Sequence, residues 1–384
     1  MKKQVFVTGV YQTKFGELWD KSLEDLLMEA GRGALKDAGV KGKDIDLVVV
    51  GNKLGGKISG QDHLGCLAGE LLNICSGIRI EAACASGGVA VHQGVVAIRA
   101  GRAEKVLVIG VEKMTDKKNG EIAEALMGAA SEEERLAGLN FAGLYGLMAR
   151  KYMDKFKAKR KDLGLISVKN HENACFNEKA HFRMEIGIDQ VLKSVMVAEP
   201  LGLFDCSPIS DGAAAVILST KSEIRNSKGK VEILGSQIAV DSLGLAERKS
   251  LVELKASREA SKRAYREAEI SVDDVDIAEV HDCFSIAEIM AYEDLGFCKK
   301  GEGFKELKKG RFNRDGKLPV NLSGGLKACG HPVGATGVKQ IVELVKQLSG
   351  KAGERQVKGV NIGLAQNVGG TGGTVVVHIL RKNI

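Results

Sequence analysis

The chain has 384 residues, 44% hydrophobic but only 4% aromatic, and 48 glycines, a composition typical of an α/β protein with two or three domains and close strand–helix turns. The net charge of +7 comes without basic runs interleaved with aromatics, and no apolar run reaches membrane-spanning length, which argues against nucleic acid and membrane partners. The eight cysteines form no C-x-x-C pair, which favours reduced thiols and a cytoplasmic protein.

The first third of the chain alternates between predicted strands and helices. A capping box formed by Ser22 and Asp25 predicts the start of the first helix, and Gly39 ends it. In chain order, the predicted elements are a strand at 3–9, a helix at 23–38, a strand at 44–51, a helix at 61–73, a helix from 84 to about 101, and a strand at 105–112. Because the first segment has a strand pattern, it is not interpreted as a signal peptide.

The second half of the chain repeats the order of the first. The segment HPVGATGVKQIVELV (331–345) aligns with CASGGVAVHQGVVAI (84–98), so that His331 occupies the position of Cys84 and Gly334 that of Gly87. The other matching pairs are 231–235 with 5–9, 257–268 with the first helix, 274–282 with 44–52, 357–364 with 105–112, and the closing strands 373–380 with 212–219. We therefore predict two duplicated βαβαβ halves related by a pseudo-twofold, with the two helix N-termini facing each other.

This repeat also predicts the domain organisation. Residues 1–112 plus 206–225 form the N-terminal half, residues 226–384 form the C-terminal half, and residues 113–205 are an inserted, partly helical loop domain. The insertion contains a basic stretch at 150–161. Two interpretations of this stretch stay open: a solvated lysine-rich face, or a surface that attracts the phosphates of a CoA-like substrate or a partner protein.

Cys84 is the first candidate for chemistry, because it stands where a strand-like segment gives way to a helix. The unpaired N–H groups and dipole of a helix start favour a thiolate, and so predict a pKa lowered from about 8.5 toward neutrality. Ser86, Gly87 and Gly88 would leave a substrate room to approach the sulfur. The alternative is a small cysteine packed in the core.

A second group of candidates follows the predicted strand at 274–282. His281 and Cys283 are two residues apart, so both side chains are expected on one face of an extended strand end. The glycine-rich segment 364–373 could form an anion-binding nest. Convergence of two Cys and two His could instead hold zinc, but no metal is predicted there because a closed zinc site would exclude substrate. His171 and Cys175, with His181 nearby, could also hold a metal, but a polar face of a predicted helix is the preferred interpretation.

Taken together, these motifs resemble the thiolase superfamily over nearly the whole chain. The resemblance is carried by five segments, which are AACASGG, SDGAAAVIL (210–218), HDCF (281–284), GGLKACGHPVGATG and VGGTGG. The most similar branch contains the sterol-carrier-protein thiolases and the archaeal acetoacetyl-CoA thiolases. The resemblance implies a layered α-β-α-β-α fold. Common thiolases have a catalytic Cys in a C-terminal C-x-G motif, where this chain has Asn367-Val368-Gly369, and Cys283 is expected to take that role.

The resemblance implies a role for each candidate residue. Cys84 is the nucleophile that becomes acylated, and His331 assists thiolate formation and polarises the thioester carbonyl. Cys283 removes or returns the α-proton, and His281 holds the enolate oxygen. The backbone N–H groups of Cys84 and Gly369, together with His331, are expected to bind the oxyanion.

The implied activity is that of an acetyl-CoA C-acetyltransferase, the reversible condensation of two acetyl-CoA to acetoacetyl-CoA without metal or redox cofactor. A homodimer or tetramer is expected. By resemblance, partners could include 3-hydroxy-3-methylglutaryl-CoA synthase and a small zinc-ribbon/OB-fold protein, in a route to mevalonate.

Three alternative functions are also compatible with the sequence. One is a degradative 3-ketoacyl-CoA thiolase. Another is a ketoacyl synthase or a 3-hydroxy-3-methylglutaryl-CoA synthase, against which Cys283 argues. The third is a non-catalytic acyl-CoA-binding or scaffold subunit.

Overall fold

The computed structural model describes residues 3–220, 223 and 230–383, so the predicted boundary between 225 and 226 lies outside the described residues. The first part of the chain contains β1 (Val5–Gln12), α1 (Leu23–Ala38), β2 (Leu47–Gly51), α2 (Leu64–Leu72), β3 (Gly77–Ile80), α3 (Ser86–Arg99) and β4 (Lys105–Glu112). The middle part contains α4 (Asn119–Met127), α5 (Glu132–Leu136), α6 (Phe141–Phe156), α7 (Arg160–Cys175), α8 (Ile188–Lys193), β5 (Met196–Ala198), β6 (Leu201–Gly202) and β7 (Gly212–Thr220).

The last part completes the chain with β8 (Val231–Val240), α9 (Lys255–Ala268), β9 (Ile277–Glu279), α10 (Ser285–Asp294), α11 (Gly303–Lys308), α12 (Thr336–Leu348), β10 (Ile362–Gly369) and β11 (Thr374–Lys382). The capping box predicted for α1 is present: the Ser22 hydroxyl accepts from the Asp25 N–H at 3.1 Å, and the Asp25 carboxylate accepts from the Ser22 N–H at 2.9 Å. Gly39 ends α1 in the left-handed conformation, with φ 69°. No helix within the described residues is long and apolar enough to cross a membrane.

The nine strands that pair into one mixed sheet in the described chain follow the order β3-β2-β4-β7-β1-β8-β11-β10-β9. The order is nearly symmetric about the β1–β8 junction, where, among the described residues, Phe6 pairs with Glu232 and Val7 with Val231. On the far side of β9, an isolated bridge from Ala278 to Val320 stands where β3 lies in the other half. The strand order therefore repeats, as the duplication in the sequence predicts.

Helices α3 and α12 occupy the centre of the molecule. Helix α3 packs on β2 and β4 of its own half and on β8 and β11 of the other, while α12 packs on β10 as well as β7 and β4. Helices α1 and α2 cover the outer face of the first half-sheet, and α9 covers that of the second. This succession of layers confirms the predicted α-β-α-β-α arrangement.

The two central helices approach each other through glycines. A Cβ atom added to Gly87 would lie 2.4 Å from the Gly334 carbonyl oxygen, and one added to Gly337 would lie 2.1 Å from the Gly88 nitrogen. Only glycine permits such close backbone contact. The residues that the repeat aligned, Gly87 and Gly334, are therefore in contact across the pseudo-twofold, and this crossing brings the two helix starts together.

The segment between β4 and β7 packs on the C-terminal half. Tyr145, Met148 and Tyr152 of α6 share an apolar cluster with Met290 and Tyr292 of α10. Tyr152 also hydrogen-bonds to the buried Glu293. These contacts place α6 beside the loop that carries His281 and Cys283.

Candidate active site

An apolar pocket lies where α3, α12, α6 and the loop before α10 meet. Its volume is about 120 Å³. The lining residues are Cys84, Met114, Leu126, Phe141, Tyr145, Ser207, Pro208, Ile209, Cys283, Phe284, His331, Val333 and Gly370. Three of the four predicted catalytic residues, Cys84, Cys283 and His331, thus line one cavity, although they come from distant parts of the chain.

Cys84 lies in a tight turn before α3. It was predicted in the first turn of the helix, but α3 begins two residues later, at Ser86. Ala83 has a positive φ of 51°, a strained conformation for a residue with a Cβ atom. The buried Ser86 hydroxyl holds this turn, accepting from the Ala82 N–H at 2.9 Å and donating to the Ala83 carbonyl at 2.6 Å. The turn therefore fixes the sulfur of Cys84 at the pocket.

His331 lies in the corresponding turn before α12. Pro332 was predicted at the first helical position, but the helix begins at Thr336, so this turn too precedes its helix. The Thr336 hydroxyl donates to the Pro332 carbonyl at 3.0 Å and lies 2.6 Å from Nδ1 of His331. Because a hydroxyl has one proton to donate, we assign the ring proton to Nδ1 of His331. Nε2 therefore carries a lone pair, and it has no hydrogen-bond partner among the described residues.

His281 has the opposite tautomer. Oδ1 of Asn367 accepts from the Gly88 N–H at 3.1 Å, which fixes the orientation of the amide. Nδ2 of Asn367 then lies 3.1 Å from Nδ1 of His281 and 3.0 Å from the Cys84 carbonyl oxygen. Since an amide nitrogen only donates, Nδ1 of His281 accepts and its proton lies on Nε2. The site thus contains one imidazole lone pair and one imidazole N–H.

These groups are mutually close. The sulfur of Cys84 and one nitrogen each of His281 and His331 all lie within 4.8 Å of one another. The two imidazole rings meet edge to face, with centroids 5.1 Å apart. A zinc ion here would need a lone pair on Nε2 of His281, whereas the Asn367 amide places a proton there. The tautomers therefore favour acid–base chemistry over metal binding.

The environment of Cys84 corrects one prediction. Its pKa is raised to about 11 instead of lowered toward neutrality, because burial disfavours the thiolate more than the Gly370 N–H and Lys53 favour it. The start of α3 does not outweigh this desolvation. Burial also lowers the pKa of His331 to about 3, so the imidazole is neutral at physiological pH.

Cys283 is buried opposite Cys84, in the loop between β9 and α10. Burial raises the pKa of the Cys283 thiol, the nearby Cys84 raises it further, and a hydrogen bond with Tyr145 lowers it. Since β9 ends at Glu279, His281 and Cys283 lie in a loop and not on an extended strand end as predicted. Both resting thiols are protonated.

Two glycines of the β10–β11 turn approach Cys84. The predicted oxyanion residue Gly369 packs against the turn, since a Cβ atom there would lie 2.5 Å from the Ala82 carbonyl oxygen. Gly370 lines the pocket, and its N–H is the one directed at the Cys84 thiol. The oxyanion-binding role of the Gly369 N–H stays a prediction, and the Gly370 N–H is a second candidate donor to the oxyanion.

Glu112 is a functional candidate that sequence analysis missed. Its carboxylate is buried at the end of β4 and accepts from the backbone N–H groups of Lys53, Leu54 and Gly334 and from the Asn52 amide, at 2.8–3.0 Å. Burial raises the pKa of Glu112 to about 7. Because Gly334 follows His331 closely, this carboxylate ties the His331 turn to the N-terminal half. A lone Glu at a strand end carries no sequence signal for such a role.

The remaining candidates lie elsewhere. His171 bonds to the Met184 carbonyl at 3.2 Å through Nδ1, and the Cys175 thiol donates to the His171 carbonyl at 3.4 Å. In the basic stretch, Arg160 donates to the Val191 and Leu192 carbonyls, so this cation is engaged within the inserted segment. Neither observation assigns these residues to the pocket.

Comparison with known proteins identifies the class. The profile of the thiolase N-terminal domain matches residues 5–222, and that of the thiolase C-terminal domain-like family matches residues 238–382. The chain belongs to the thiolase family, as the motifs predicted.

Individual relatives in the family are similar over almost the whole chain. An acetyl-CoA acetyltransferase of Methanothermobacter thermautotrophicus is 46% identical and covers 99% of this chain and 100% of the relative. A Methanocaldococcus jannaschii protein with the same name is 45% identical, and the match covers 98% of this chain and 99% of the relative. Human sterol carrier protein 2 is 34% identical over 99% of this chain and 72% of its own length.

Solved structures agree on the fold. The Ltp2-ChsH2(DUF35) aldolase superposes with a TM-score of 0.84 at 22% identity, over 99% of this chain and 98% of the other. Human mitochondrial 3-ketoacyl-CoA thiolase in complex with CoA superposes with a TM-score of 0.77 at 21% identity, over 100% of this chain and 98% of the other.

Proposed function

We propose that this chain is an acetyl-CoA C-acetyltransferase that condenses two acetyl-CoA to acetoacetyl-CoA and CoA, reversibly, through an acetyl group on Cys84. The proposal is carried by one observation: the Cys84 sulfur lies close to an imidazole of His331 and an imidazole of His281, and Cys84 and His331 line a small apolar pocket. The acetyl-CoA acetyltransferases that are 45–46% identical over their full length support it.

The first half-reaction transfers the acetyl group to Cys84. Nε2 of His331 takes the thiol proton as the sulfur attacks the thioester carbonyl. When the tetrahedral intermediate collapses, the C–S bond to CoA breaks, and the CoA sulfur takes the proton of Cys283. The products are acetyl-Cys84, protonated His331, the Cys283 thiolate and free CoA. Because the pKa of Cys84 is raised, the thiol does not ionise unaided, and His331 is needed as the base that removes its proton.

The second half-reaction forms the carbon–carbon bond. The Cys283 thiolate removes an α-proton from a second acetyl-CoA and becomes a thiol again, while the Nε2–H of His281 donates to the enolate oxygen. The enolate carbon attacks the acetyl carbonyl on Cys84. Acetoacetyl-CoA then leaves as the Cys84 sulfur recovers its proton from His331, which restores the starting state.

Backbone donors would stabilise the oxyanion that forms on the acetyl carbonyl. We propose the N–H groups of Cys84 and of Gly369 or Gly370 for this role, with His331 serving the thioester carbonyl. Each such donor is worth roughly 3 kcal/mol in other acyl-transfer enzymes.

The dimensions of the pocket favour short acyl groups. A volume of about 120 Å³ is well below the roughly 300–1,000 Å³ of pockets for drug-sized ligands, and the bulky Met114, Leu126 and Phe141 line it. An acetyl or acetoacetyl group fits better there than a fatty acyl chain. Cleavage rates for 3-ketoacyl-CoA substrates of increasing length test this: we expect a steep fall beyond four carbons, and a preference for long chains would support the degradative alternative.

Mass spectrometry of the protein after incubation with acetyl-CoA tests the site. Wild type should gain one acetyl group on Cys84, and Cys84→Ala should gain none there. Cys283→Ala should still accumulate acetyl-Cys84, because CoA can leave as a thiolate, but should not condense. Cys298→Ala, which removes a thiol outside the pocket, serves as the matched control. Condensation at the wild-type rate by Cys283→Ala would contradict the assignment of the base.

We also propose an assembly and a cellular place. The proposed assembly is a homodimer or tetramer in the cytoplasm that supplies acetoacetyl-CoA to the mevalonate route. Its proposed partners are a 3-hydroxy-3-methylglutaryl-CoA synthase and a small zinc-ribbon/OB-fold protein. Such partners fit the expected chemistry, because the condensation needs a step that consumes its product. Light scattering coupled to size exclusion would give the oligomeric state, and co-elution with each partner would test the complex. A monomer that elutes alone would contradict this part.

A further inference from the structure

Tyr145 is a buried residue of the pocket that neither half-reaction above uses. It belongs to α6 of the inserted segment, and its ring stacks on Phe284 with centroids 4.6 Å apart. Its hydroxyl donates to the Gly370 carbonyl at 3.0 Å, and Tyr145 lines the same pocket as the Cys283 thiol, whose pKa it lowers. Because Phe284 directly follows Cys283, the stacking keeps Tyr145 beside the sulfur.

The hydroxyl has two states available in this position. While Cys283 is a thiol, it can donate its S–H to the Tyr145 oxygen, whose own proton goes to the Gly370 carbonyl. Once Cys283 has given its proton to the departing CoA, the thiolate has no proton to donate and needs a donor. Rotation about the C–O bond of Tyr145 then redirects the phenol proton from the carbonyl to the sulfur.

The surroundings keep Tyr145 a donor. Burial raises the pKa of Tyr145 well above its ordinary value, so the hydroxyl keeps its proton beside a thiolate. Arg248, which donates to the carbonyl and hydroxyl oxygens of Thr371, acts on the phenol with its positive charge and polarises the O–H toward donation. The other groups that act on the Cys283 thiol are Cys84, Lys327 and Asp282.

We propose that Tyr145 is a further residue of the proton-transfer machinery: its hydroxyl rotates from the Gly370 carbonyl to Cys283 and stabilises the thiolate that removes the α-proton. The inference rests on the proposed function, in which Cys283 is the base. Tyr145 itself neither gains nor loses a proton. It turns with each cycle, as the α-proton restores the Cys283 thiol.

The test is Tyr145→Phe, which keeps the ring on Phe284 and removes only the hydroxyl. Tyr265→Phe is the matched control, because the Tyr265 hydroxyl also donates to a backbone carbonyl, that of Leu295 at 2.9 Å, away from the pocket. Three rates are measured on each variant: acetylation of Cys84, exchange of the α-protons of acetyl-CoA with deuterated water, and condensation.

For Tyr145→Phe we expect acetylation within about twofold of wild type, because CoA can leave Cys84 as a thiolate without taking the Cys283 proton. Exchange and condensation should both fall by about 10- to 100-fold, the effect of losing a hydrogen bond to a charged group. The pH dependence of exchange should shift to higher pH, because the unassisted thiolate forms less readily. Tyr265→Phe should change none of these, and similar melting temperatures for the two variants would show that both are folded.

Other results would overturn the inference in distinguishable ways. If Tyr145→Phe exchanges the α-protons at the wild-type rate, the hydroxyl has no role in proton transfer. An equal fall in acetylation and exchange would show that it acts by placing Gly370 and not through Cys283. If Cys283→Ala itself keeps α-proton exchange, the proposed base is wrong, and the failure then lies with the proposed function.

Discussion

Asn367 determines which nitrogen of His281 carries the ring proton. The amide nitrogen lies 3.1 Å from Nδ1 of His281, and the amide oxygen is held by the Gly88 N–H, so the amide cannot turn without losing both contacts. The resemblance aligns Asn367 with the second catalytic cysteine of common thiolases. In this chain the side chain at that position supports the imidazole that we propose to bind the enolate.

The first prediction concerns that support. Asn367→Asp presents only acceptors, so the proton of His281 should move to Nδ1 and the N–H that faces the enolate should disappear. We expect condensation to fall by roughly 100-fold, within the range known for lost acid–base or oxyanion donors. Steady-state kinetics would measure this. Asn361→Asp, on the exposed side of the molecule, controls for the added charge and should be neutral; a wild-type rate for Asn367→Asp would refute the tautomer assignment.

The second prediction concerns the pH dependence of Cys84. A pKa raised to about 11 means that the thiol is protonated at neutral pH and that its thiolate fraction rises about tenfold per pH unit below that value. Alkylation of Cys84 by iodoacetamide, followed by mass spectrometry from pH 6 to 10, should therefore climb without a plateau near neutrality. At pH 7 Cys84 should react more slowly than the exposed Cys66 and Cys75. A plateau below pH 8 would show that the helix start, after all, outweighs burial.

The third prediction concerns Glu112. In Glu112→Gln, one carboxylate oxygen that accepts from two N–H groups becomes an amide nitrogen that faces them, which leaves buried donors unpaired. We expect a loss of roughly 3 kcal/mol in the free energy of unfolding. Acetylation of Cys84 should also slow, because the Gly334 N–H would no longer be held beside the His331 turn. Chemical denaturation provides the measurement, Glu354→Gln at the surface provides the control, and equal stability of the two variants would contradict the assigned role.

The fourth prediction concerns the crossing of α3 and α12. Gly87→Ala would place a methyl group 2.4 Å from the Gly334 carbonyl oxygen, so the helices must move apart. We expect destabilisation by about 2–3 kcal/mol, the usual cost of overpacking, and loss of acetyl transfer because Cys84 and His331 separate. Thermal unfolding and acetylation are measured together. Gly120→Ala, where the structure leaves open space in α4, should be neutral or slightly stabilising; a neutral Gly87→Ala would mean that the contact is not tight.

Much of the fold could be predicted because its signals are local. Hydrophobic periodicity and the Ser22 capping box marked the elements. The internal repeat predicted that the two helix N-termini face each other, and in the structure the aligned Gly87 and Gly334 are close together. The helix starts were less accurate: both Cys84 and His331 lie in turns before their helices, since turns and first helical residues share the same small amino acids.

The sequence by itself determined the family, the duplicated architecture and the identity of the four side chains that meet near the pocket, because motif order and repeat spacing are written along the chain. Only the tertiary structure decided the state of those side chains. The protons of His281 and His331 are placed by Asn367 and Thr336, the acidity of Cys84 is set by burial, and Cys283 contacts Tyr145 from the inserted segment. Desolvation and hydrogen-bond partners are properties of the packed interior, where segments remote in the chain become neighbours, and no local pattern encodes them.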